Sequence, residues 1–287
     1  MAVIDDRYCR VMAGQQLVAI VTGAGRRAGI GRAIARRLAA DGFAVVVHER
    51  SSSSLTAAEI ADGWRGAASV VDEITAAGGT AVSMAGDVLD RATAQSMVDA
   101  ASDLGQLSVL VNNHGNAGEA NAHAVHTAPD DVFDSAIAGN LTSLHRIASA
   151  VVPALIESQA SSKAIINTSS VAGHRALARY GGYCAAKAAV ERMTEQQAIE
   201  LARYGIRVNC VAPGVVPTDM IDGTFGRAAS ATGKSFDEVA EMVRRSIPLR
   251  RFAEPDDIAN AVGFLVGPLS TYITGQILSV DGGTALV

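Results

Sequence analysis

The chain has 287 residues, 49% of them hydrophobic and 18% charged, with a formal net charge of -5 at pH 7. These figures describe a compact globular protein with one substantial core and exclude a disordered or fibrous one. The acidic balance gives no electrostatic reason to expect nucleic acid or an anionic membrane as a partner.

The first fifteen residues, "MAVIDDRYCRVMAGQ", carry early acids and no apolar core, so they do not resemble a secretory signal. They are expected to be a flexible extension before a single domain over 16–287. Seven short apolar runs follow: "LVAIVT" (17–22), "FAVVVH" (43–48), "TAVSMAG" (80–86), "LSVLVNN" (107–113), "KAIINTSS" (163–170), "IRVNCVA" (206–212) and "QILSVDGG" (276–283). Several are apolar on successive residues, as strands buried on both faces are. The segments between them are long enough for crossover helices, and in the first, Ile30, Ile34 and Leu38 mark one buried face. The alternation predicts an α/β fold: a single Rossmann-type, doubly wound parallel sheet of seven strands with helices on both faces. The polar stretch "RSSSSLTAAEIADGWRG" (50–66) reads as a surface loop insertion. No run reaches the roughly 18 apolar residues of a spanning helix. Cys9, Cys184 and Cys210 fall in no metal-ligand spacing, so no metal is expected, and a cytoplasmic location is the default.

"VTGAGRRAGIGRA" (21–33) joins the first strand to the first helix, the context that raises a glycine cluster above noise. Glycine allows a tight turn and lets a pyrophosphate approach the amides of a helix N-terminus. Gly23, Gly25 and Ala28 fit one register of the dinucleotide pattern, and Gly23, Gly29 and Gly31 a longer one. Because the helical face starts at Ile30, the longer loop is preferred.

On these motifs the chain resembles the short-chain dehydrogenases and reductases. "TGAGRRAGIG" matches their opening motif with two extra residues, Arg26 and Arg27. "GDV" supplies Asp87 and Val88, where the resemblance implies adenine contacts. "VNNHG" supplies Asn113 and Gly115, with His114 in place of alanine, and "GNL" supplies Asn140. "SSVAG" brings Ser170, "YCAAK" brings Tyr183 and Lys187, and "APGVVPT" brings Pro213, Gly214, Val216 and Thr218. The resemblance runs from about Leu17 onward and implies a nicotinamide cofactor, a small-molecule alcohol or ketone substrate and a homodimer or homotetramer.

The chemistry can also be argued from the residues. Tyr183 and Lys187 lie four apart in a helix-periodic segment and so share a face. An ammonium beside a phenol favours phenolate and is expected to lower its pKa from about 10. Such a phenol can exchange a proton with an alcohol or carbonyl oxygen while a hydride moves. Ser170, at a strand end, can donate to that same oxygen. The resemblance assigns these roles, adds ribose binding by Lys187, and implies that Asn140 holds a water linking Lys187 to solvent. The alternatives are a dinucleotide-binding sensor without catalysis and an enoyl reductase, a branch in which the resemblance implies a wider tyrosine–lysine spacing. Within the family the chain looks nearest the 3-oxoacyl-thioester reductases and hydroxyacyl dehydrogenases.

Substrate identity is expected to reside in 174–182 and in a mobile lid over about 219–252. His114 reads as a loop histidine with ordinary hydrogen bonds. Cofactor choice turns on Glu49, placed where an acid meets the adenosine ribose. Its charge opposes a 2'-phosphate of roughly -1.5 to -2. Arg50 follows it, and Arg26 and Arg27 are near. The balance favours NAD, with NADP the alternative, and leaves Arg26 and Arg27 beside the pyrophosphate or in solvent.

Overall fold

The computed structural model describes residues 16–51, 55–116 and 122–287. The expected extension over 1–15 lies outside them. The Val- and Ile-rich runs form seven strands: β1 (Leu17–Val21), β2 (Ala44–Glu49), β3 (Ala81–Ala85), β4 (Gln106–Asn112), β5 (Lys163–Thr168), β6 (Ile206–Pro213) and β7 (Ile277–Val280). All pair in parallel, in the order β3-β2-β1-β4-β5-β6-β7. The order reverses between β1 and β4, and in such sheets the crevice at the carboxyl ends of the strands takes the ligand.

Apolar side chains on both faces of the strands explain the layers. On one face Val45, Val47 and Val109 pack with Ile34 and Leu38 of α1 (Ile30–Ala40). On the other, Val18, Ile20 and Ile165 meet Met97, Ile147 and Val151 from the helices between β3 and β5. The last predicted strand ends earlier than expected, at Val280. There the Asp281 carboxylate accepts from the Gly283 and Ala285 amides at 2.9 and 2.7 Å and turns the chain.

Two expected loops contain helices. Within 50–66, Ala57–Ala61 forms a short helix, α2, closed by a capping box in which Thr56 and Glu59 satisfy each other's amides. Glu59 is buried. The Thr-x-x-Glu pattern that makes this box is present in the sequence, but its low hydrophobicity reads as loop. The following helix, α3 (Ala67–Ala76), starts at Gly66. In the region expected to be a lid, two helices form, Asp219–Thr232 and Phe236–Ser246. Phe225 is buried between Phe236 and Phe252, with ring centroids at 5.7 and 5.8 Å. Among the described residues no helix is long and apolar enough to cross a membrane.

Candidate active site

The glycine loop turns at Gly23, whose φ is +66°. A Cβ there would lie 2.8 Å from His114 Cα, so only glycine fits. Helix α1 begins at Ile30 after Gly29, as the longer register requires. No side chain caps that helix and no acid lies in its first turn, which leaves its amides and dipole for an anion. The Asn113 side chain holds the loop from beneath, donating to Thr22 O and Gly23 O, both at 3.0 Å. A Cβ on Gly31 would come within 2.5 Å of the Asn113 amide, which explains the third small residue.

Asn140 sits in a π-helical turn, Ala138–Thr142, between two α-helices. Such turns are rare and often functional. This one brings the Asn140 side chain to both polar groups of the Asn116 peptide, accepting from N–H at 3.1 Å and donating to O at 2.9 Å. A Cβ on Gly115 would lie 2.8 Å from Asn140 Oδ1 and 3.3 Å from Lys187 Nζ, so these three residues converge.

The long helix after β5, α4 (Gly181–Leu201), carries Tyr183 and Lys187 on one face. Lys187 is 3% exposed and donates to Thr168 O at 2.9 Å, which ties the helix to the end of β5. Its Nζ stands 5.7 Å from the centroid of the Tyr183 ring. The Tyr183 phenol lies beside the side chain of Ser170, just beyond β5, which acts to lower its pKa. The structure therefore gathers Asn140, Ser170, Tyr183 and Lys187 near the carboxyl end of β5.

Other predicted contacts are more scattered. Asp87 is exposed and accepts from Leu89 N–H at 2.8 Å, while Val88 packs on the core. Gly214, after Pro213, is pressed against Asp281, Val216 is buried, and Thr218 precedes the first helix of the expected lid. Arg50 is exposed after β2. Glu49 ends β2 with its carboxylate wedged between Gly25 and Gly66, either of whose Cβ would fall 2.2 Å from Oε2. It accepts from the Ala67 amide, and burial raises its pKa. Arg26 and Arg27 meet acids instead of lying alone: Arg26 is 3.5 Å from Glu59 and Arg27 pairs with Asp62.

A family model described as enoyl-(acyl carrier protein) reductase matches residues 23–285. The 3-oxoacyl-[acyl-carrier-protein] reductase FabG of Staphylococcus aureus is 36% identical over 266 residues, covering 92% of this chain and 96% of its own. The cyclohexanol dehydrogenase of a Rhodococcus species is 37% identical over 277 residues, covering 93% and 95%. The chain belongs to the short-chain dehydrogenase/reductase family. Among solved structures, a tryptophan variant of actinorhodin polyketide ketoreductase with NADPH superposes with a TM-score of 0.83 at 30% identity, covering 95% of this chain and 98% of that one. Levodione reductase superposes at 0.79 with 28% identity and the same coverage. As a member of this family, the chain is a nicotinamide-dependent oxidoreductase acting on alcohol and carbonyl groups.

Two features of this dehydrogenase/reductase site differ from the sequence expectation or exceed it. Burial pushes the Tyr183 phenol up to about 12, against the expected lowering, although Ser170 works the other way. Burial also pulls Lys187 down to about 8. The ammonium lies over the ring and bonds a carbonyl, so desolvation outweighs its field at the hydroxyl. His114 does more than close a loop. Its Nδ1 is 2.8 Å from Thr22 Oγ1 and its Nε2 2.8 Å from Ser143 Oγ, so it staples β1 to the helix after the π turn.

Burial, with Lys187 nearby, lowers His114 to about 3. The unfolded imidazole takes its proton near 6.5, so stability from the neutral folded ring is present above that pH and lost on acidification toward 3. His114→Ala should cost about 2–4 kcal/mol at pH 7 by denaturant titration. The gap from wild type should narrow between pH 7 and pH 4 by at most about 1.4 kcal/mol per unit. A constant gap over that range contradicts this assignment.

Proposed function

We propose that this oxidoreductase reduces a ketone to a secondary alcohol with Tyr183 as proton donor, and runs the same steps backward for oxidation. The observation that carries the reading is the buried Lys187 ammonium 5.7 Å from the centre of the Tyr183 ring, with Ser170 beside the phenol. The loop of Gly23, Gly25 and Gly29, held by Asn113, with the open first turn at Ile30 and the Lys187 ammonium, offers the donors that a nicotinamide dinucleotide needs. When bound, that cofactor supplies the hydride.

The chain's residues supply the rest. Ser170 and Tyr183 donate to the substrate oxygen and polarise its C=O bond. As hydride reaches carbon, Tyr183 transfers its proton to that oxygen. A phenol held up at about 12 keeps its proton at neutral pH, so the proton is present to be transferred. The phenolate left behind is stabilised by Lys187, positioned in turn by Thr168 O. Tyr183→Phe should lower kcat for a good ketone substrate by about 10²–10⁴-fold with a smaller change in KM. The rate of reduction should fall as pH rises through about 8, where Lys187 loses its proton. Equal turnover by Tyr183→Phe and wild type contradicts the mechanism.

A 3-oxoacyl or 3-hydroxyacyl thioester is the proposed substrate class. In its support, a cavity of about 300 Å³ opens beside the start of α4, lined by Val132, Phe133, Leu177 and Gly182 among others, and suits an apolar chain. The FabG relative bears the corresponding name. NAD is the proposed cofactor, because Glu49 stands at the end of β2 and both loop arginines face acids. A kcat/KM at least about tenfold higher with NADPH than with NADH contradicts that choice. Self-association into a dimer or tetramer is supported by exposed apolar residues near the last strand, Leu269 at 83% and Tyr272 at 102%. Light scattering at micromolar concentration should give the dimer or tetramer mass, and a monomer mass contradicts it.

A further inference from the structure

The two residues inserted in the glycine loop and the segment inserted after β2 are built around each other. Glu59, whose side chain is 5% exposed, accepts from the Arg27 amide at 2.9 Å and lies 3.5 Å from the Arg26 guanidinium. Asp62 takes the Arg27 guanidinium. Trp64 donates its indole N–H to Gly25 O at 2.7 Å, and Arg32 lies 5.4 Å from the centre of its ring while donating to Arg27 O at 2.8 Å. All of this adjoins the Glu49 carboxylate, which touches both Gly25 and Gly66 and feels the charge of Glu59. Three cations, Arg26, Arg27 and Arg32, and three carboxylates, Glu49, Glu59 and Asp62, thus border the end of β2, where the adenosine ribose of a dinucleotide docks.

We propose that Glu59 and Asp62 are specificity-determining residues: they engage Arg26 and Arg27, the guanidinium groups that would otherwise receive a 2'-phosphate. The inference rests on the NAD reading and assigns its cause to the inserted segment as well as to Glu49. Guanidinium is the natural receptor for a phosphate monoester because it is planar, permanently charged and bidentate. Without acid partners, two such groups beside the ribose site would favour NADP. With them, Arg26 and Arg27 are matched by Glu59 and Asp62, as Arg32 is by Glu73, and the Glu49 carboxylate opposes a 2'-phosphate. The two pairs are unequal. Glu59 is buried and also holds the loop backbone, whereas Arg27 and Asp62 are 49% and 53% exposed at their side chains, so their attraction is screened by solvent. Trp64 fixes the Gly25 peptide and so fixes the base from which both arginines extend.

The test is calorimetric titration of NAD⁺ and NADP⁺ into wild type, into Glu59→Gln with Asp62→Asn, and into that double variant with Arg26→Ala and Arg27→Ala added. Gln at 59 keeps an acceptor for the Arg27 amide. Trp64 is the chain's single tryptophan, so its emission, together with circular dichroism, reports whether the insert still seats on the loop. Wild type should bind NAD⁺ more tightly. The acid-to-amide double variant should gain NADP⁺ affinity relative to NAD⁺ by at least about tenfold, and the added arginine substitutions should remove the gain. An unchanged ratio in a folded double variant, with wild type still preferring NAD⁺, overturns this proposal and leaves the NAD reading intact. Wild type preferring NADP⁺ overturns both. If the double variant does not fold, Asp62→Asn alone decides, with an expected relative gain of about two- to fivefold against none.

Discussion

The bond from Lys187 to the Thr168 carbonyl, 2.9 Å long and out of solvent, is the constraint on which the site depends. It fixes the longest helix to the end of β5, and Ser170 and Tyr183 follow from that one attachment. A buried ammonium is costly unless its protons are satisfied. Here the carbonyl takes one, and the Gly115 backbone lies close enough to bring Asn140 to the same place. Any side chain at 115 would separate them. The π turn at Asn140 has the same consequence, since it aims an amide at Asn116 that a regular helix would direct elsewhere.

Burial of this set changes its chemistry. In water an ammonium near a phenol favours the phenolate, but here both groups are desolvated and each moves toward its neutral form. The phenol therefore keeps its proton at neutral pH, beside a lysine that loses its own near 8. The same desolvation makes His114 a neutral staple between two hydroxyls, so a histidine close to Lys187 adds no competing charge.

Much of this is legible in the sequence because parallel strands leave an unambiguous trace. "LVAIV" and "AVVV" are apolar on consecutive residues, and both are buried throughout. The start of α1 at Ile30 follows from its four-residue spacing, and with it the choice of glycine register. Ser170, Tyr183 and Lys187 converge because the first lies at a strand end and the other two on the helix face that meets it, while Asn140 comes from the π turn. What the sequence hides are contacts between distant polar segments. Thr56 and Glu59 form a capping box that the pattern announces, yet nothing local says that Glu59 turns inward to the Arg27 amide or that Trp64 reaches Gly25. The Tyr183 shift is hidden for a different reason. Spacing shows that Lys187 is near, and only the packing shows that desolvation outweighs it.

The central claim is that burial keeps Tyr183 a protonated acid, and tyrosinate absorbance tests it most directly. An ultraviolet pH titration of the cofactor-free protein, taken as the difference between wild type and Tyr183→Phe, isolates this phenol from the other tyrosines. The account predicts no tyrosinate from Tyr183 at neutral pH and ionisation only near 12. A difference signal appearing near pH 7 would show a phenolate already formed in the resting site and would contradict it.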